Sequence, residues 1–96
     1  MQSNLVCLHL HISGHVQGVG FRASLQEKAR ALQLQGWVRN CRDGRVEALV
    51  QGPRQHVDAM RKWCQQGPPA ARVQAVTSSD HATDPDLPEL RCVATV

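Results

Sequence analysis

Apolar and polar positions alternate from Leu5 to Ser13: Val6, Leu8, Leu10 and Ile12 take one face, Cys7, His9, His11 and Ser13 the other. A period of two is that of a half-buried strand. The strand runs into a glycine-rich loop, GHVQGVGF, from Gly14 to Phe21. The period then lengthens. Phe21, Leu25, Ala29 and Leu32 recur at helical spacing, and Gly36 is placed to end that helix. Trp37–Cys41 reads as a second strand, Asp43-Gly44 as a hairpin turn, and Arg45–Gln51 as a third strand with Val46, Ala48 and Val50 on one face. Gly52-Pro53 punctuates, with Pro53 suited to the first turn of a helix. Val57, Met60, Trp63 and Cys64 mark the buried stripe of that second helix, and Gly67-Pro68-Pro69 stops it. In the fourth strand Val73, Ala75 and Thr77 alternate with Gln74, Val76 and Ser78. Ser79–Pro88 is polar, acidic and proline-bearing, hence a loop, and Leu90–Val96 reads as a short terminal strand.

The resulting order is β-α-β-β-α-β with a short additional C-terminal strand. It predicts an α+β, ferredoxin-like sandwich with two helices on one face of a mostly antiparallel sheet. With 96 residues and no linker, residues 1–96 read as a single domain. The fold by itself does not select a function.

Charge and composition narrow the classes. Net charge is +3, from 11 basic and 8 acidic residues, and the basic residues are scattered rather than gathered on one stretch. Tyrosine is absent and Phe21 is the only phenylalanine, which leaves few platforms for stacking bases. A nucleic-acid partner is therefore not expected. No apolar run is long enough to span a membrane, and the start, MQSNLVCLHL, lacks the basic flank of a secretory signal. The expectation is a cytoplasmic monomer without a membrane partner. Cys7, Cys41, Cys64 and Cys92 form no CxxC pair, so they read as small buried hydrophobes. An even count leaves a disulfide open, and the spacing does not choose a pairing.

The informative chemistry lies in GHVQGVGFR, between a strand and a helix. Closely spaced glycines let backbone N–H groups converge on an anion, and the helix start adds its own unpaired N–H groups. Arg22 in the first helical turn opposes the helix dipole unless an anion lies between them. Its guanidinium offers a planar fork for two phosphoryl oxygens. The loop is neither a Walker A, lacking the GK[ST] ending, nor a dinucleotide fingerprint. A tight loop with an incidental surface arginine is the alternative. Asn40, near the end of the second strand, can donate and accept at once and so hold a water, or can simply form the turn before Asp43-Gly44. No carboxylates cluster with a histidine around the loop, and no metal site is expected in the chain. His9 and His11 share a strand face and read as polar residues of the less buried side rather than as a metal pair. Cys41 adjoins Asn40 without a basic partner that would make it a nucleophile.

Three stretches together resemble the acylphosphatase family: SGHVQGVGFRASLQEKARALQLQGWVRN (Ser13–Asn40), DGRVEALVQGP (Asp43–Pro53) and GPPAARV (Gly67–Val73). The terminal stretch ELRCVATV departs from the family in lacking an aromatic residue. The resemblance implies hydrolysis of the carboxyl-phosphate anhydride of small acyl phosphates to carboxylate and inorganic phosphate, without metal or organic cofactor. It implies that Arg22 binds the phosphoryl group and that Asn40 orients the attacking water. It further implies that the backbone amides of His15, Val16, Gln17, Gly18, Val19 and Gly20 cradle the phosphate. The competing readings are a non-catalytic anion- or RNA-binding module of the same fold, and a detached accessory domain of a larger carbamoyl-transfer enzyme.

Overall fold

The strand expected over Leu5–Ser13 forms and runs two residues further, as β1 (Leu5–His15) in a computed structural model that describes residues 4–96. It is followed by α1 (Phe21–Ala31), β2 (Gln35–Asn40), β3 (Val46–Pro53), α2 (Arg54–Cys64), β4 (Arg72–Asp80) and β5 (Arg91–Cys92). The sheet order is β4-β1-β3-β2-β5, antiparallel throughout except for the β2–β5 pair at one edge. With the two helices on one face, this is the ferredoxin-like topology that the order of elements predicted. Leu10 and Ile12 of β1, with Val46, Ala48 and Val50 of β3, are fully buried beneath Phe21, Leu25 and Ala29 of α1 and Val57, Met60 and Cys64 of α2. The four cysteines are free thiols, Cys7, Cys41 and Cys64 buried and Cys92 exposed.

Several boundaries fall elsewhere than the local pattern suggests. Gly36 does not end α1 but lies inside β2. The helix is closed instead by Leu32 and by Gln33, which takes the left-handed position at φ 58°. Gln33 N–H donates to Arg30 O and Leu34 N–H to Ala29 O, the two bonds of a Schellman closure, with buried Leu34 and Ala29 as its apolar contact. Gly36 is needed for another reason. A Cβ there would sit 1.8 Å from the Leu49 carbonyl oxygen on β3, so only glycine permits the strands to approach. Pro53 precedes the helix rather than opening it: at ψ 142° it is still extended and ends β3.

In β4 the expected alternation breaks. Ser13 pairs with Ala75 but Gly14 with Val73, which leaves Gln74 as an extra residue, a β-bulge. The bulge puts Val73 and Val76, three apart, on the core side, and leaves Ala75 and Thr77 exposed. β4 also extends to Asp80, into the segment read as loop.

Because β4 and β5 occupy opposite edges, the chain between them must cross the whole sheet. It does so as a strap over the face that the helices leave bare. Gln51 points to that face by alternation with Val50 and is fully buried under the strap. Its amide donates to Asp84 O at 2.9 Å and to Gln35 Oε1 at 3.0 Å, while its oxygen accepts from Asp84 N–H at 2.8 Å. His81 N–H donates to Cys7 O, and Gly36 N–H to Pro88 O. The ladder of β5 is only two residues long, shorter than the Leu90–Val96 strand expected. Leu90 nevertheless enters the main core, fully buried.

Candidate active site

The turn from β1 into α1 is built on glycines in the left-handed region, Gly18 at φ 76° and Gly20 at φ 78°. Gly20 is also the residue that caps α1, without a side-chain cap and without an acidic residue in the first turn. The amides that such a helix start leaves open are therefore not used internally. Among the described residues, none accepts a hydrogen bond from the backbone amides of residues 16–23; the first bond of the helix is Ser24 N–H to Gly20 O. Most of these residues border a small pocket of about 160 Å³, lined by Val16, Gln17, Gly18, Gly20, Phe21, Arg22, Ala23 and Asn40. Uncommitted N–H groups beside a concavity carry partial positive charge of the kind that attracts anions.

Two side chains anchor the loop. Phe21 is buried, edge-on to Trp63 of α2 at 5.5 Å between ring centroids. Gly67 makes room for it, since a Cβ at 67 would lie 2.6 Å from the Phe21 ring. Gln17 turns its side chain away from the loop and donates from Nε2 to Cys41 O at 2.7 Å and to Arg45 O at 2.9 Å. It thereby ties the loop to the β2–β3 hairpin, at the end of β2 that carries Asn40. The sequence signal for Gln17 was its place in the loop; its amide contacts leave no trace in local pattern.

Arg22 and Asn40, singled out from separate segments, come together at this pocket. Both are half-buried. Arg22 forms no ion pair or hydrogen bond with any described residue, and the Asn40 amide forms none either. The Asn40 backbone, by contrast, is held on both sides. It pairs with Val46 of β3, and its carbonyl accepts from Val96 N–H at 3.1 Å.

The other loop residues separate by role. Val16 is core, and Val19 packs against the core without lining the pocket. His15 is exposed and borders a larger neighbouring cleft of about 450 Å³ with Asp43, Arg45 and Arg72. Arg45 there is already paired with Asp43, at 2.9 Å, so that cleft offers less unclaimed positive charge than its size suggests. Cys41 is buried beside Glu47, and burial together with that carboxylate pushes its thiol up, away from a nucleophilic thiolate. Glu47 itself, on the strap-side face, meets His9, His11 and Arg39. Burial pulls its carboxyl up, but the hydrogen bonds and charges of Arg39 and His9 outweigh it and hold it down at about 2. Sequence reading placed the two histidines on one face and missed the glutamate, which arrives from β3.

Comparison with known proteins places the chain as a whole in a family. The acylphosphatase family model matches residues 8–89. An acylphosphatase of Acaryochloris marina is 55% identical over 76 residues, spanning 79% of this chain and 82% of that protein. An acylphosphatase of an Anaeromyxobacter species is 51% identical over 85 residues, spanning 88% of this chain and 91% of that protein. The structure of an acylphosphatase from Coxiella burnetii superposes with a TM-score of 0.89 at 39% identity, covering 94% of each chain.

Proposed function

Because the chain belongs to the acylphosphatase family and is a hydrolase of that type, we propose that the Arg22–Asn40 pocket splits the carboxyl-phosphate anhydride of small acyl phosphates, with inorganic phosphate as product. One observation supports this above the others. Among the described residues, none partners the backbone amides of residues 16–23, the Arg22 guanidinium or the Asn40 amide, and Arg22, Asn40 and most of that loop border one pocket. Unspent donors converging on a space sized for a phosphoryl group describe a site prepared for an oxyanion.

In this reading the loop amides and Arg22 bind the equatorial phosphoryl oxygens. Their charge offsets the repulsion an incoming water meets, and the fork of Arg22 fixes the direction of the P–O bond to be broken. Asn40 holds that water in line, accepting from it through its carbonyl oxygen and orienting it through the amide. The leaving group is a carboxylate, stable without protonation, so the reaction needs no strong general acid. No protein nucleophile and no metal enter the scheme. Residues 1–96 act in it as one domain.

The test is hydrolysis of benzoyl phosphate by the folded protein in the presence of chelator. Turnover well above the uncatalysed rate is expected. Asn40→Ala should lower kcat by about 10²–10³-fold, the cost of one oriented catalytic donor, while leaving competitive inhibition by inorganic phosphate nearly intact. Arg22→Ala should damage both, and Arg22→Lys should not restore them, because one ammonium cannot reproduce the fork. Tight phosphate binding without turnover would replace the enzyme reading with that of a binding module. Parent-rate turnover by a folded Asn40→Ala protein would leave Asn40 as a turn residue only.

A further inference from the structure

The sheet face under the strap carries a second cluster of side chains that the proposed hydrolysis does not use. β1 presents His9 and His11 on that face, two residues apart, and register places Glu47 of β3 directly opposite His11. His9 Nε2 lies 2.6 Å from Glu47 Oε2, and His11 Nε2 lies 3.6 Å from the same oxygen. One ligand atom from each of the three residues falls within 4.8 Å of the other two. We propose that His9, His11 and Glu47 form a binding site for a divalent late first-row transition ion, with Zn²⁺ the best match.

The chemistry of the donor set selects the ion. Two imidazoles and one carboxylate, leaving a further position open, are a standard set for zinc, whereas magnesium and calcium take oxygen ligands. Bonds of about 2.0–2.2 Å in a tetrahedral arrangement put ligand atoms about 3.3 Å apart. The two contacts to Glu47 Oε2 bracket that value, so small side-chain rotations suffice. Arg39 Nε holds the other oxygen of the carboxylate, Oε1, at 2.8 Å. It fixes the orientation of Glu47 and leaves Oε2 facing the imidazoles, as outer-shell partners of metal ligands do. His9 and His11 side chains are each 27% exposed, which gives an ion a way in. A fourth donor stands close by: the ring of His81, on the strap, is centred 6.5 Å from that of His9. Its Nδ1 bonds the Ala82 carbonyl at 2.9 Å. A carbonyl only accepts, so Nδ1 carries the proton and Nε2 keeps its lone pair. A water, or His81 after a shift of the strap, then completes the tetrahedron. Ion entry displaces the proton now bridging His9 Nε2 and Glu47 Oε2.

The experiment is titration of the metal-stripped full chain with Zn²⁺ by calorimetry, and with Co²⁺ by visible absorption. One ion per chain and the visible band of tetrahedral Co²⁺ are expected. His9→Ala and His11→Ala should each weaken Zn²⁺ binding by more than the roughly 10–100-fold that outer-shell changes cost. Cys92→Ser, which alters the exposed thiol, should leave binding unchanged. Circular dichroism checks folding, and His11→Gln, which retains a hydrogen-bonding group for Glu47 without imidazole, serves if the alanine variant unfolds. No saturable binding to the parent protein overturns the proposal, as does binding that survives in both histidine variants or is lost in Cys92→Ser. Benzoyl phosphate turnover is measured in chelator, so this result and the catalytic reading stand or fall separately.

Discussion

Gln17 commits its side-chain donors to two carbonyls of the β2–β3 hairpin, Cys41 O and Arg45 O. The contact is structural in kind, yet it fixes the distance between the amide loop and Asn40. Gln17→Ala is therefore expected to lower kcat/KM for benzoyl phosphate by up to about 100-fold, as misplacements of about 1 Å do, while urea denaturation registers a loss of about 1–3 kcal/mol for the two side-chain hydrogen bonds removed, since Cys41 O and Arg45 O keep their backbone donors, Gly44 N–H and Cys41 N–H. Kinetics and denaturation on the same variant check both halves. The cysteines give a second prediction at this scale. Burial pushes the Cys64 thiol up to about 12 and raises those of Cys7 and Cys41 as well. Thiolate is the reactive form, so at pH 8 native protein should present only Cys92 to a thiol reagent, and the other three should react after unfolding. Rapid modification of Cys41 in the native state would contradict the burial that keeps it protonated.

Among the elements, β5 contributes more than its two-residue ladder suggests. Leu90, just before it, is fully buried in the core. Its N–H donates to Leu34 O, and its carbonyl accepts from Arg30 Nε at 3.0 Å, joining the strand to α1 and to the start of β2. Beyond the ladder, Val93 N–H and Val96 N–H continue along the edge of β2 to Val38 O and Asn40 O. Leu90→Ala should cost about 2–5 kcal/mol of stability, the range for a large-to-small core change, read from the denaturation midpoint at unchanged slope. A loss under about 0.5 kcal/mol would mean that the site collapses to fill the space or that the edge is not packed this way.

At the scale of the whole molecule the sheet divides the chemistry. The helix-side core supports the Arg22–Asn40 pocket, and the opposite face is closed by the strap between β4 and β5, pinned at Asp84 by Gln51. Gln51→Ala should release the strap. The expected result is faster amide hydrogen exchange over residues 81–88 and about 1–3 kcal/mol lower stability, with benzoyl phosphate turnover nearly unchanged because the pocket lies on the other side. Loss of turnover in a folded Gln51→Ala protein would show that the two faces are coupled.

The sequence by itself determined the number, type and order of the elements and the position of the glycine-rich loop before α1. Periods of two and of 3.6 are written into each segment, and the turn residues that separate them act locally. GHVQGVGFR and GWVRN also drew attention to Arg22 and Asn40, the first because a cation at a helix start is explained by an anion beside it, the second chiefly through the resemblance to the acylphosphatase family. Only the tertiary structure decided where Gly36 was needed. A left-handed closing residue and a close strand approach both favour glycine, and the Leu49 carbonyl assigned it to the second, leaving Gln33 to close the helix. It likewise decided which face Val76 takes, through the bulge at Gln74, and which residues meet across the sheet. Gln17 with Cys41 and Arg45, Gln51 with Asp84, and His9 with Glu47 lie 24 to 38 positions apart. Such pairs exist only once strand order and register are set, and those follow from burying every apolar face at once rather than from any one segment.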